Sequence, residues 1–165
     1  MEALKKCHTC GEDKPIENFR WLKARRPSDP ARWRANECSS CFRARYRAYN
    51  KLPRVRIRHM VHDMNKNAKK RMFDCNITAE DIFQMYDDQD GKCAITGFDM
   101  TLGSSDDLIE KQYAASPDRI DNERGYTTDN VWLVTARANS LKSDMTIEEL
   151  LEWCTAVVKN HDIKL

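Results

Sequence analysis

The chain has 165 residues, 41% of them hydrophobic and 33% charged, with a formal net charge of +2. That length suits one ordinary domain, or a small module joined to a second compact one. No apolar run approaches the roughly 20 residues of a membrane span, and the opening MEALKKCHTC lacks the apolar stretch of an export signal, so a cytoplasmic protein is expected.

The small net charge conceals a division. Residues 1–75 carry 20 Lys and Arg against 8 Asp and Glu, whereas residues 76–165 carry 8 against 18. A basic half attracts polyphosphate at long range, and an acidic half holds divalent metal or faces solvent. Seven cysteines without an export signal argue against a disulfide framework and for reduced thiols or metal ligands.

The first 45 residues have few alternating or helical apolar patterns and need another source of stability. Cys7-x2-Cys10 and Cys38-x2-Cys41 form two knuckles with 27 residues between them. Two intervening residues let a tight turn bring both thiolates to one ion, and two such turns complete a tetrahedron. The expectation is one structural Zn²⁺ held by Cys7, Cys10, Cys38 and Cys41, with metal binding supplying folding energy. A redox role for one pair would leave the other unexplained. His8, between two ligands, reads as exposed.

Between the knuckles lie Arg20, Lys23, Arg25, Arg26, Arg32 and Arg34, with Trp21 and Trp33 interleaved, and Arg43, Arg45 and Arg47 follow the second knuckle. Cations at this density neutralise phosphates, while the aromatics either contact nucleic acid or pack the module. A solvated surface is the competing reading. Residues 1–50 are therefore expected to be a zinc-binding, DNA-contacting module.

From Leu52 the texture changes. Pro53 can open a helix, and Ile57, Met60, Val61, Met64, Ala68 and Met72 recur at helical spacing, predicting a basic amphipathic helix over about 54–72. Lys69 and Lys70 lie off the apolar stripe, where they are expected to face DNA. Thr78 is a good N-cap for a second helix with Ile82, Phe83 and Tyr86 on its apolar face, ending near Gly91. Residues 51–92 thus read as a basic helical linker and helix pair.

Residues 93–165 read as the next domain. CAITG is a short strand or turn, and LGSSDDLIEKQ a polar loop. AASPDRI and VWLV are strands around the turn-rich DNERGYTTDN, and TARANSLKSD is a short helix with Thr135 as its cap. Thr146 and Glu149 form a capping box for a last helix with Ile147, Leu150, Leu151, Cys154 and Val158 turned inward. Cys75, Cys93 and Cys154 have no nearby partner and read as core residues.

The stretch from Ser116 to Asp144, SPDRIDNERGYTTDNVWLVTARANSLKSD, resembles the ββα-metal motif of HNH endonucleases, particularly phage-type and homing-type members. The knuckles and GKCAITG resemble the same proteins, so the likeness runs along nearly the whole chain. It implies an α+β fold, with a ββα-metal unit and flanking helices preceded by a zinc-ribbon-like four-cysteine module. It also implies divalent-metal-dependent hydrolysis of double-stranded DNA in a bacterial or phage-infected cell.

Residue by residue, Asp118 matches the acidic ligand, Asn130 the central asparagine that holds the inter-strand loop in shape, and Asn139 the metal ligand on the helix. Two oxygen ligands, Asp118 and Asn139, suit Mg²⁺ or Mn²⁺. Lys142, three residues beyond Asn139, is a candidate phosphate holder. The usual general-base histidine is replaced by Arg119, which stays protonated and cannot act as an ordinary base, although it can stabilise a phosphate. For the base, Asp121, a metal-bound hydroxide, and His59 or His62 remain open. Asp121 has an equal reading as a turn residue, and the two histidines read more readily as exposed positions on a solvated helix.

Two other readings stand beside the nuclease. One is a catalytically degenerate DNA-binding or regulatory protein on the same scaffold, favoured by Arg119. The other is an RNA-binding zinc protein.

Overall fold

The computed structural model describes residues 3–22, 34–103 and 107–163. The fold is α+β, as expected, and divides into two compact units, Met1–Asn50 and Lys51–Leu165.

In the first unit β1 (Leu4–Lys6) pairs antiparallel with β2 (Asp13–Pro15), and β3 (Phe19–Trp21) pairs antiparallel with β4 (Arg34–Cys38). A single 3-10 turn, Ile16–Asn18, joins the two hairpins, and α1 (Ser39–Asn50) leaves the end of β4. The cluster of buried residues consists of Cys7, Phe19 and Cys38, with Cys41 packed against it. Such a core buries little apolar area, and α1 buries no residue at all. Among the described residues, the cysteines are therefore the main part of this unit's core.

The second unit opens with α2 (Pro53–Arg71), Pro53 occupying the first turn where its missing N–H is harmless. Val55, Ile57, Met60, Met64 and Ala68 are buried, close to the expected stripe. Met72 departs from it. It is the left-handed C-cap, with φ 58°, and points to solvent. Thr78 caps α3 (Ala79–Asp88) through a reciprocal box with Asp81. After α3, Cys93–Phe98 is a tight turn rather than a strand, closed by Cys93 N–H and Gly97 N–H bonds. The stretch read as a polar loop contains a short helix, α4 (Leu108–Gln112), because Asp107 accepts hydrogen bonds from the amides of Ile109 and Glu110.

β5 (Ala115–Arg119) and β6 (Val131–Thr135) pair antiparallel in unbroken register, from Ala115 opposite Thr135 to Arg119 opposite Val131. Thr135 then caps α5 (Ala136–Lys142), its hydroxyl accepting from the Ala138 amide. The hairpin and helix pack on α2 and α3 through Ile57, Met64, Ile82, Leu133, Val134 and Ala138. The free edge of β6 is completed by Gln89, whose side-chain amide both accepts from Leu133 N–H and donates to Leu133 C=O. Cys93 is buried and its sulfur accepts the Thr135 amide, a structural use of that thiol.

The last helix, α6 (Ile147–Asn160), starts at the expected Thr146–Glu149 capping box, but none of its residues is buried. Leu151 and Cys154 are exposed, and Ile147, Leu150 and Val158 only half-buried, so the expected inward face is corrected. The periodicity formed the helix; it did not supply a surface to cover it.

Candidate functional site

In the first unit the four thiols of Cys7, Cys10, Cys38 and Cys41 all lie within 4.8 Å of one another. Four sulfurs at the Zn–S distance of a tetrahedral site stand about 3.8 Å apart, so the cluster needs only small adjustments to close on an ion. Gly11, at φ 73°, turns the first knuckle back, and its amide bonds the Cys7 carbonyl. The Cys38 amide donates to the Cys7 sulfur, and the Ser40 hydroxyl lies 3.1 Å from the Cys38 sulfur. Those groups set the protonation of the cluster. The Ser40 hydroxyl and then the Cys41 amide bring the Cys38 thiol down to about 6, while hydrogen bonding to Cys38 and burial push the Cys41 thiol up to about 12. Crowded thiols that cannot all ionise together are suited to a divalent cation, which removes the repulsion.

The basic residues of this unit divide. Arg34 stacks on Trp21 at 3.7 Å and donates to the Phe19 carbonyl, and Arg20 stacks on Phe42 at 3.4 Å. These aromatics therefore pack cations within the module. Arg45 makes a bidentate pair with Glu37, which draws the Glu37 carboxyl below its usual range. Arg43 and Arg47 remain exposed, one helical turn apart. Arg25 and Arg26, with Lys23, Arg32 and Trp33, lie outside the described residues.

In the second unit a cleft of about 280 Å³ lies between α2 and the ββα elements. β5 and α5 contribute Asp118, Arg119 and Asn139 to it. Asp118 is 6% exposed. Its Oδ2 accepts from the Trp132 indole at 2.9 Å and from the Lys142 ammonium at 3.1 Å, whereas Oδ1 has only a 3.4 Å contact to Lys142. Asn139 is oriented by its amide nitrogen, which donates to the Ser116 hydroxyl at 2.8 Å and more weakly to the Pro117 carbonyl. Its own carbonyl oxygen accepts nothing among the described residues.

Asn130 sits beneath the loop, 1% exposed. It accepts from the Asp121 amide and donates to the carbonyls of Asp121 and Gly125, three bonds that fix the turn. Asp121 is exposed, does not line the cleft, and uses Oδ1 to accept the Glu123 amide. This is the geometry of a turn residue. Arg119 is likewise engaged, donating to the carbonyls of Asn122 and Arg124 with its guanidinium 5.2 Å from the Phe73 ring and 5.4 Å from the Tyr126 ring.

Lys142 corrects an expectation. It is fully buried, bound to Asp118 and to the Arg119 carbonyl, and it does not line the cleft, so it cannot hold a phosphate from there. The reason is the direction of α5, which carries its last turn under β5 rather than over it. His59 and His62 are exposed on α2 and also outside the cleft, as are Lys69 and Lys70.

The opposite wall consists of residues that sequence reasoning passed over. Arg56, Asp63, Asn67 and Arg71 of α2 line the same cleft, and none of their side chains has a hydrogen bond or ion pair among the described residues. The signal was present. These residues recur at i, i+7, i+11 and i+15, beside the Met60–Met64 stripe and so along one border of it.

No family model matches the chain, and no curated protein does. A solved structure described as that of the rare-cutting HNH restriction endonuclease PacI aligns over 94% of each chain, with 16% identity and a TM-score of 0.40. A likeness this loose assigns neither fold nor activity; the chemistry rests on the cleft itself.

Proposed function

We propose that the chain is a divalent-metal-dependent DNA endonuclease of the HNH kind, with the cleft of the second unit as its active site and the four-cysteine cluster as a structural zinc site. The observation that carries this is that Asp118 and Asn139 line one cleft, while Asp118 Oδ1 and the Asn139 carbonyl each keep spare acceptor capacity among the described residues. Oxygen donors in small number fit Mg²⁺ or Mn²⁺, which keep waters and take substrate phosphate as further ligands. When bound, such an ion would stabilise the charge that builds on the phosphate and on the departing oxygen.

The chain's own groups do the rest. Lys142 and the Trp132 indole hold the Asp118 carboxylate in one orientation, and Ser116 fixes the amide of Asn139. Asn130 and Arg119 together tie the loop that presents them. Because Lys142 already offsets the charge of Asp118, the remaining negative charge in the cleft is that of Asp63. Asp63 is also the carboxylate open to water there, and we assign to it, rather than to Asp121, the role of proton acceptor.

The test is incubation of supercoiled plasmid with the protein in Mg²⁺, Mn²⁺ or EDTA, beside Asp118→Ala and Asp63→Asn. Cleavage that needs the ion and both carboxylates is the expected result. A second reading, a DNA-binding protein on a catalytically silent scaffold, is favoured by the saturation of Asp118 Oδ2 and by Arg119 in place of a histidine. DNA bound but uncut under every condition would put that reading first.

A further inference from the structure

Four polar side chains along one face of α2, without a partner among the described residues, form a second wall of the cleft, and their order is cation, carboxylate, amide, cation: Arg56, Asp63, Asn67, Arg71. At 1.5 Å rise per residue, Arg56 and Arg71 lie about 22 Å apart along the helix axis, with Asp63 roughly midway. Successive phosphates on one strand of a duplex stand roughly 6–7 Å apart, about twice the axial rise, so the two arginines are separated by about three to four phosphate steps, one or two to either side of a phosphate placed at the centre.

A guanidinium that lines a cleft without a protein partner among the described residues is a phosphate-binding group by its chemistry. The exposed Lys69 and Lys70 stand on other parts of the helix circumference and do not reach the cleft. We propose that the DNA strand runs lengthwise along α2, between this helix and β5–α5, with Arg56 and Arg71 gripping backbone phosphates on opposite sides of the reacting one and Asn67 contacting the backbone between. This rests on the nuclease reading for the identity of the central phosphate, but the grip itself is a binding property.

The experiment uses the full chain and a fluorescently labelled random-sequence duplex in EDTA, with anisotropy followed across a salt titration. Each phosphate contact contributes about 0.9 to the slope of log affinity against log salt, so Arg56→Gln with Arg71→Gln is expected to reduce the slope by about 1.8. The Lys pair Arg56→Lys with Arg71→Lys should restore it, which a misfolded variant would not do. With Mg²⁺ and saturating duplex, the Gln pair should also cut at least about tenfold more slowly, since the strand is no longer held in register.

A parental salt slope in the Gln pair would overturn the proposal. If the parent protein cuts nothing but the slope still falls, the nuclease reading fails and the α2 wall stands. If the parent cuts and the Gln pair keeps both slope and rate, the wall fails and the nuclease reading stands.

Discussion

The ammonium of Lys142 lies 3.1 Å from Oδ2 of Asp118, and the two side chains are 0% and 6% exposed. An ion pair this deep is costly to break from one side, because the remaining charge has no water to turn to. Lys142→Met is therefore expected to destabilise the second unit by about 3–5 kcal/mol. Adding Asp118→Asn should recover most of that loss, since the double change leaves no buried charge. Urea denaturation of the three variants checks it; a double-variant loss equal to the sum of the two single losses would show that the pair is not coupled.

The Trp132 indole donates to the same carboxylate, and this gives a reporter of metal that does not depend on cleavage. Mn²⁺ is paramagnetic and quenches a fluorophore within a few ångströms, whereas Mg²⁺ is not. The Trp132 fluorescence, taken as the difference from Trp132→Phe, should fall on adding Mn²⁺, recover on adding excess Mg²⁺, and stay constant in Asp118→Ala. Quenching that persists in Asp118→Ala would place the ion elsewhere.

With zinc in the four-cysteine cluster, as proposed, the first unit should lose its structure when that metal is removed. Its buried cluster is Cys7, Phe19 and Cys38, too small to fold a module of this length unaided. One equivalent of zinc per chain is expected on thiol titration with a chromogenic chelator. Its removal should flatten the amide signals of residues 3–22 and 34–50 in an NMR spectrum while those of β5, β6 and α5 hold. Cys38→Ser should have the same effect without a chelator.

The inter-strand loop carries a carboxylate with an acid-shifted titration. A hydrogen bond from the Thr127 hydroxyl, and then one from Arg124, hold the Asp129 carboxyl down to about 2. A depressed folded value means that the contribution of this group to stability is present above the ordinary value of 3.8 and is lost as pH falls through about 2. A carboxyl-carbon NMR titration should place its midpoint near 2, and Thr127→Val should move the midpoint upward. A midpoint near 3.8 in the unsubstituted chain would contradict the loop geometry.

What was legible in the sequence was local. Two C-x2-C spacings announced the four-thiol cluster, because the ligand turn is encoded within four residues. Thr78, Thr135 and Thr146 announced three helix starts by side-chain chemistry that acts over three residues. What escaped depended on partners far along the chain. Lys142 looked like a phosphate ligand because helical spacing places it near Asn139, but only the packing of α5 under β5 shows that it points to Asp118. Arg56, Asp63, Asn67 and Arg71 drew no reading from the sequence, because they become a wall only where β5 stands opposite them. α6 had an apolar period, and no local rule says whether such a face will be covered.

Gly125 has no room for even a methyl group. A Cβ there would come within 2.3 Å of the Asp74 carbonyl oxygen, because the loop is laced to the segment that follows α2. The Tyr126 amide donates to Asp74, the Asn76 amide donates to Tyr126, and Cys75 pairs with Tyr126 as a parallel bridge. The two walls of the cleft are thus sewn together at one end, so the opening has a gauge fixed when the chain folds. Under the nuclease reading it is the duplex entering the cleft that must yield. Under the nuclease reading, sites with easily unstacked pyrimidine–purine steps should be cut in preference to stiff A-tracts, a discrimination made by the mechanical compliance of the DNA and needing no contact to a base edge.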